Sequence, residues 1–126
     1  MTGVVRGAPL SQRWKAARAL VGKYIEIRVT DGTPLIDGKS YEAVYFIGAS
    51  DSGFVMNLMD VFGAEYSAIA GIGHREADEI VFEFAYATGP WTWRWSLAGS
   101  GWDHEQTYFD QGERKIFATK HMRRVG

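Results

Sequence analysis

The stretch Ile80-Val81-Phe82-Glu83-Phe84-Ala85-Tyr86-Ala87-Thr88-Gly89-Pro90-Trp91-Thr92-Trp93-Arg94-Trp95-Ser96-Leu97 decides the fold. Ile80, Phe82 and Phe84 alternate with Val81, Glu83 and Ala85, and Trp91, Trp93 and Trp95 alternate with Thr92, Arg94 and Ser96. A period of two sends successive side chains to opposite faces of an extended chain. Thr88-Gly89-Pro90 between the two runs is turn chemistry. The two halves therefore read as neighbouring antiparallel strands, each with one face toward a core.

The same rhythm continues outward. Turn-forming clusters recur at Asp31-Gly32-Thr33-Pro34 with Asp37-Gly38, at Ser50-Asp51-Ser52-Gly53 and at Phe62-Gly63-Ala64-Glu65. They recur again from Gly73 to Glu79, at Gly99-Ser100-Gly101 and at Asp110-Gln111-Gly112-Glu113. Between them the spacing predicts strands over 22–30, 40–49, 54–61, 66–72, 80–87, 91–97, 102–109 and 115–123. Strands at roughly 8 to 12 residue intervals belong to an antiparallel sandwich or barrel, and the connections are too short for parallel crossovers. A single layer of about eight strands exposes two edges unless it closes on itself. The reading is mainly β: one antiparallel meander β-barrel of about eight strands, whose interior is filled by side chains or holds one small ligand.

The N-terminal region breaks the pattern. Trp14, Ala17 and Leu20 recur at helical spacing, with Ser11 as an N-cap and Gly22 beyond, which predicts one short helix over 11–20 at a barrel end. Residues 1–10 hold two glycines and Pro9 without a period and read as a loose arm, leaving 11–126 as the single domain. With 46% hydrophobic and 23% charged residues the chain is not of the disordered class. Its formal charge of -1 lacks the basic footprint of a nucleic-acid binder. The absence of cysteine excludes disulfides, thiolate metal sites and cysteine nucleophiles. No apolar run approaches the roughly 18 residues of a membrane span, and no apolar N-terminal stretch suggests a signal peptide, so no membrane partner and a cytoplasmic location are expected.

Few residues point to chemistry. If the three indoles of Trp91, Trp93 and Trp95 face inward they wall a ligand pocket and Arg94 is an outer charge; if they face outward they form a patch for a homodimer and Arg94 becomes an interior clamp for a carboxylate. The bland alternative is that they only fill the barrel. Asn57 and Asp60 lie in Phe54-Val55-Met56-Asn57-Leu58-Met59-Asp60-Val61, apolar on both faces. Asp60 reads as a pocket acid or as an acceptor for the amides of the turn that follows. His74, His104 and His121 show no metal-ligand spacing, and no metal site is predicted. His121 shares a face with Phe117 and Thr119, and if that face is the interior it is the residue to suspect for haem; otherwise it is a structural histidine and no cofactor is predicted. Gly48-Ala49-Ser50-Asp51-Ser52 lacks the last glycine of a nucleophile elbow, and Gly71-Ile72-Gly73 lacks the third glycine of a phosphate cradle.

Tyr45-Phe46-Ile47-Gly48-Ala49-Ser50-Asp51-Ser52-Gly53, followed by Asp60, Gly63 and Tyr66, resembles a family of uncharacterised bacterial calycin-like (lipocalin-like) domains. The likeness continues through Gly71-Ile72-Gly73, the strand from Glu79 to Tyr86 and a last strand closing on Arg123, about the last hundred residues. The resemblance implies a small meander barrel with an internal cavity. The functional expectation is a non-enzymatic binder of a small hydrophobic or aromatic molecule, drawing on Tyr45, Asn57, Asp60, Tyr86, Trp93, Arg94 and His121. The alternatives are a cofactor-free lyase or isomerase of calycin type, with Tyr and Arg positioning a carboxylate and Asp60 moving a proton, or a filled barrel that serves as a structural homodimer.

Overall fold

The computed structural model describes residues 2–5, 8–31, 41–99 and 101–123. The strands are β1 (Thr2–Val5), β2 (Ala8–Ala19), β3 (Tyr24–Asp31), β4 (Glu42–Ser50), β5 (Gly53–Asp60), β6 (Gly71–Glu76), β7 (Glu79–Tyr86), β8 (Gly89–Ala98), β9 (Gly101–Asp110) and β10 (Glu113–Arg123). One helical turn, Ala64–Ser67, lies between β5 and β6. From β2 to β10 each strand pairs antiparallel with the next, so the sheet is a meander curled as a half-barrel. The short β1 pairs with β10, from Thr2↔His121 to Val5↔Ala118, and also with β2, from Thr2↔Ser11 to Val5↔Ala8. Among the described residues no helix is long and apolar enough to cross a membrane.

The helix expected over 11–20 is a strand. Its residues are good helix formers, but that preference amounts to only tenths of a kcal/mol per residue. A continuous ladder with β3, from Gln12↔Asp31 to Ala19↔Tyr24, outweighs it and turns Trp14 toward Val29. Residues 2–5 and 8–10, read as part of a loose arm, are extended and paired. The strand expected over 66–72 is displaced: the helical turn takes its first residues, and β6 runs over Gly71–Glu76, so the turn expected from Gly73 to Glu79 is confined to Ala77 and Asp78. The turn expected over 32–38 lies outside the described residues.

Alternation sorts the side chains onto two faces. Ile27, Val29, Ala43, Tyr45, Met56, Leu58, Phe82, Phe84 and Trp93 form one buried cluster on the concave face, with Trp14, Trp91 and Trp95 packed against it. Two glycines of β6 make room for the rings: a Cβ at Gly71 would stand 2.6 Å from the Phe84 ring, and one at Gly73 would stand 2.6 Å from that of Phe82. The register of β9 with β10 shifts between Ile116 and Ala118. This bulge changes the parity of the last strand. Phe117 packs against Trp91 at 4.9 Å between centroids, Ala118 and Lys120 are buried, and Thr119 and His121 are exposed.

Candidate functional site

The three indoles of β8 point inward, and this settles which residues share the interior. Trp93 is buried, its ring 5.3 Å from that of Tyr45 and 5.2 Å from that of Phe84. Arg94, on the opposite parity, lies outside and donates from Nη1 to Glu79 and to Glu76, each at 3.1 Å. The bond to Glu79 first, and that to Glu76 next, hold its guanidinium firmly in the charged form. Arg94 is therefore not a clamp on the concave face, and the Trp face is not an outer patch for a dimer. Asn57 stands on the exposed face of β5. His121 is exposed and bonds Asp103 Oδ1 through Nδ1 at 2.6 Å, so its imidazole is not on the interior side. The bulge in β10 is what moves it there.

Tyr45, Asp60, Tyr86 and Trp93 do gather. Tyr41, which the sequence pattern did not single out, links them. Its hydroxyl donates to Asp60 Oδ2 at 3.1 Å and lies 3.3 Å from that of Tyr45, so Tyr45 is the donor in that second bond. Asp60 Oδ1 accepts from the Phe62 amide at 3.0 Å. Asp60 thus binds the turn that follows it with one oxygen and Tyr41 with the other. Burial raises its carboxyl above the ordinary 3.8, opposed by the Phe62 and Tyr41 bonds. Burial first, and then the neighbouring Tyr45 and Asp60, push the Tyr41 phenol far up, and burial does the same for Tyr45. Phenols held this firmly protonated act as hydrogen-bond donors, and they do not exchange protons with a substrate near neutrality.

A second constellation lies on the same concave face, where Trp95, His104 and Lys120 are cross-strand neighbours. His104 is 2% exposed; its ring lies 4.6 Å from Trp95, 5.2 Å from Trp93 and 5.9 Å from Trp14. Gln106 donates its side-chain amide to His104 Nε2 at 3.0 Å, which leaves the neutral ring's proton on Nδ1. Lys120, 6% exposed, donates to Gln12 Oε1 at 3.2 Å and stands 5.2 Å above the Trp14 ring. The Trp14 indole donates to that same Gln12 oxygen at 3.0 Å. Among the described residues, two buried side-chain nitrogens, Trp95 Nε1 and His104 Nδ1, make no hydrogen bond. The Arg94 carbonyl is close enough to favour a proton on the His104 ring without completing a bond of good geometry. Burial, and then the Lys120 charge, hold this imidazole neutral, well below its ordinary 6.5.

The sequence carried a trace of this cluster. His104 and Gln106 share the parity of Trp102 and Tyr108, and Lys120 shares that of Met122, so polar side chains interrupt otherwise apolar stripes. A depression of about 530 Å³ is lined by Glu79, Arg94, Ser96, Asp103, Glu105, Thr119 and His121 together with the buried His104 and Lys120. Its Arg94 is committed to Glu76 and Glu79, and its His121 to Asp103. Among the described residues no group of three or more His, Cys, Asp or Glu is placed to hold a metal ion. Compared with protein-family models, curated proteins and solved structures, the chain matches none.

Proposed function

We propose that this chain is a non-enzymatic binding barrel that holds one small apolar or aromatic molecule on the concave face, beside Trp95 and His104. One observation carries the reading: Trp95 Nε1 and His104 Nδ1 are buried within an aromatic wall and have no hydrogen-bond partner. A buried donor left unmade costs about 1–3 kcal/mol, and native interiors tolerate few of them. A guest that brings an acceptor removes that cost. The lining supports the same reading, since pockets for small molecules combine aromatic walls with a few placed polar groups. The rings of Trp14, Tyr45 and Trp93 already touch, so the guest sits to the side of Trp95 and His104 and does not run through the axis. Closure of the meander into a barrel belongs to this proposal, and the pairing of β1 with both β2 and β10 supports it. An enzymatic reading lacks its convergence, because Arg94 and Asp60 occupy opposite faces.

Intrinsic tryptophan fluorescence during titration with aromatic acids, fatty acids and haem tests the proposal. A saturable change that Trp95→Phe diminishes is expected. A flat response to every compound would sink it.

A further inference from the structure

We infer that the hairpin of β2 and β3 docks the chain onto an anionic lipid surface, Leu20 and Val21 entering the headgroup layer while Arg18 and Lys23 bind the acidic headgroups beside them. The inference goes beyond the binding reading above and does not depend on it. It departs from the expectation of no membrane partner, which rested on the lack of an apolar span; a hairpin tip seated among headgroups crosses nothing.

The tip is apolar where a turn in water favours polar residues. Leu20 is 65% exposed, Val21 is fully exposed, and Ile25, just beyond the turn, is 48% exposed. The Lys23 amide donates to the Leu20 carbonyl at 3.2 Å and closes a tight turn around Val21 at φ 59° and Gly22 at φ 76°. Two positive φ values in succession make this the turn that Asn-Gly fills best, and a β-branched side chain at the first of them is strained. Leu20 also has a positive φ, 53°. The barrel gains nothing from two aliphatic side chains held in this way, whereas a lipid interface takes both of them out of water.

The charge around the tip selects the partner. Between Gln12 and Thr30 stand five of the chain's fourteen basic side chains, Arg13, Lys15, Arg18, Lys23 and Arg28, and one of its fifteen acids, Glu26. All five cations are exposed. The ladder sets Lys15 directly opposite Arg28, a like-charge pair that weakens a sheet. Among the described residues the ion pair of this hairpin is Arg28 to Glu26 at 2.7 Å. At the same end of the meander Glu76 is taken up by Arg94, and Asp51 and Asp78 are matched in number by Arg75 and Arg123. The opposite end also exposes apolar side chains, Val61, Phe109 and Ile116, but there Glu42, Glu65, Asp110 and Glu113 outnumber Arg114 and Lys115 among the described residues. In a chain of net charge -1 the positive strip is therefore local, and it coincides with the apolar tip. Anionic lipid attracts basic residues that flank a shallow apolar anchor. An acidic peptide would answer the cations without covering a fully exposed valine.

Cosedimentation of the full chain with phosphatidylcholine vesicles containing about one quarter phosphatidylserine tests the docking. Binding is expected to exceed that to phosphatidylcholine alone by at least about tenfold, and to fall as the ionic strength rises to about 0.5 M. Arg18→Gln with Lys23→Gln should weaken it by about tenfold or more. Val21→Asn separates docking from folding: an Asn-Gly turn suits this backbone, so the urea midpoint should rise while vesicle binding falls by about fivefold or more. Because the chain has no cysteine, an environment-sensitive fluorophore can be attached at Val21→Cys or, at the opposite end, at Phe109→Cys. Vesicles should shift the emission of the first to the blue and leave the second unchanged. Absence of binding to the charged vesicles overturns the inference, as does binding that these substitutions leave intact or that shifts both labels alike. A dimer that Val21→Asn dissolves, without vesicle binding, would assign the tip to a second copy of the chain and overturn it too. The ligand titration of the unaltered chain needs no vesicles, so either reading can fail without the other.

Discussion

His104 and Asp60 tie the stability of the interior to pH in opposite directions. The folded chain holds His104 neutral, well below the ordinary 6.5, chiefly because burial disfavours the imidazolium and Lys120 adds repulsion. The unfolded chain takes up this proton readily, so the stability it contributes is present above about 6.5 and is lost as pH falls toward the folded value. For Asp60 the folded carboxyl holds its proton more tightly than the ordinary 3.8. Its contribution is fully present below that ordinary value and is lost as pH rises through the raised one. His104→Gln should therefore flatten the fall in unfolding free energy between about pH 7 and about pH 5, a slope of up to about 1.4 kcal/mol per pH unit for one proton. Asp60→Asn should gain on the unaltered chain as pH rises from about 4 to about 6, because the amide has no charge to bury. Urea unfolding at each pH measures both, and a His104→Gln profile parallel to the original would show that the buried imidazole is not the source.

At the scale of the strand, the contest is between composition and pairing. β3, β4, β5 and β7 to β10 could be read from the sequence because turn clusters punctuate them and β-branched or aromatic residues fill them, two signals that agree, whereas β6 runs through Gly73 to Glu76, which the turn chemistry assigned to a loop. In β2 the signals conflict: Ala16, Ala17 and Arg18 favour a helix, and only the ladder to β3 makes the segment extended. A valine at Ala17 separates the two. The residue is exposed and pairs with Glu26. In a strand Ala17→Val should stabilise by up to about 1 kcal/mol, whereas in a helix it would destabilise by about 0.5 kcal/mol. A raised urea midpoint is expected, and a lowered one would restore the helix. The site was less legible than the strands for a related reason. Alternation assigns residues to faces but does not say which face is inner, so Trp93 and Arg94 stood as alternatives until pairing with β7 and β9 decided between them. The bulge at Phe117 then reversed the parity of β10, bringing Lys120 indoors and sending His121 out. Nothing in the spacing of Ile116, Phe117 and Ala118 announces that extra residue.

For the whole molecule, an enclosed guest depends on closure of the sheet. A curled meander with two free edges would leave backbone donors and acceptors of β2 and β10 unpaired and inviting to other chains. Four residues of β1 stand between those edges, and Val4 lies opposite Thr119 of β10. Directly opposed residues of antiparallel strands have Cα separations of about 4.5 or 5.5 Å, within the range a disulfide spans. The chain has no cysteine of its own, so Val4→Cys with Thr119→Cys has a single intramolecular pairing to make. Joining positions 4 and 119 closes a loop of more than a hundred residues, for which the chain-entropy model gives a gain of roughly 4.7 kcal/mol, with engineered bridges often yielding less. The expected result is a monomeric, oxidised species whose urea midpoint exceeds that of its own reduced form and which retains the fluorescence response to ligand. Free thiols after mild oxidation, or disulfide-linked dimers alone, would mean that β1 does not bridge the edges. The meander would then be an open sheet, and the two unpartnered nitrogens of Trp95 and His104 would face a groove in place of an enclosed chamber.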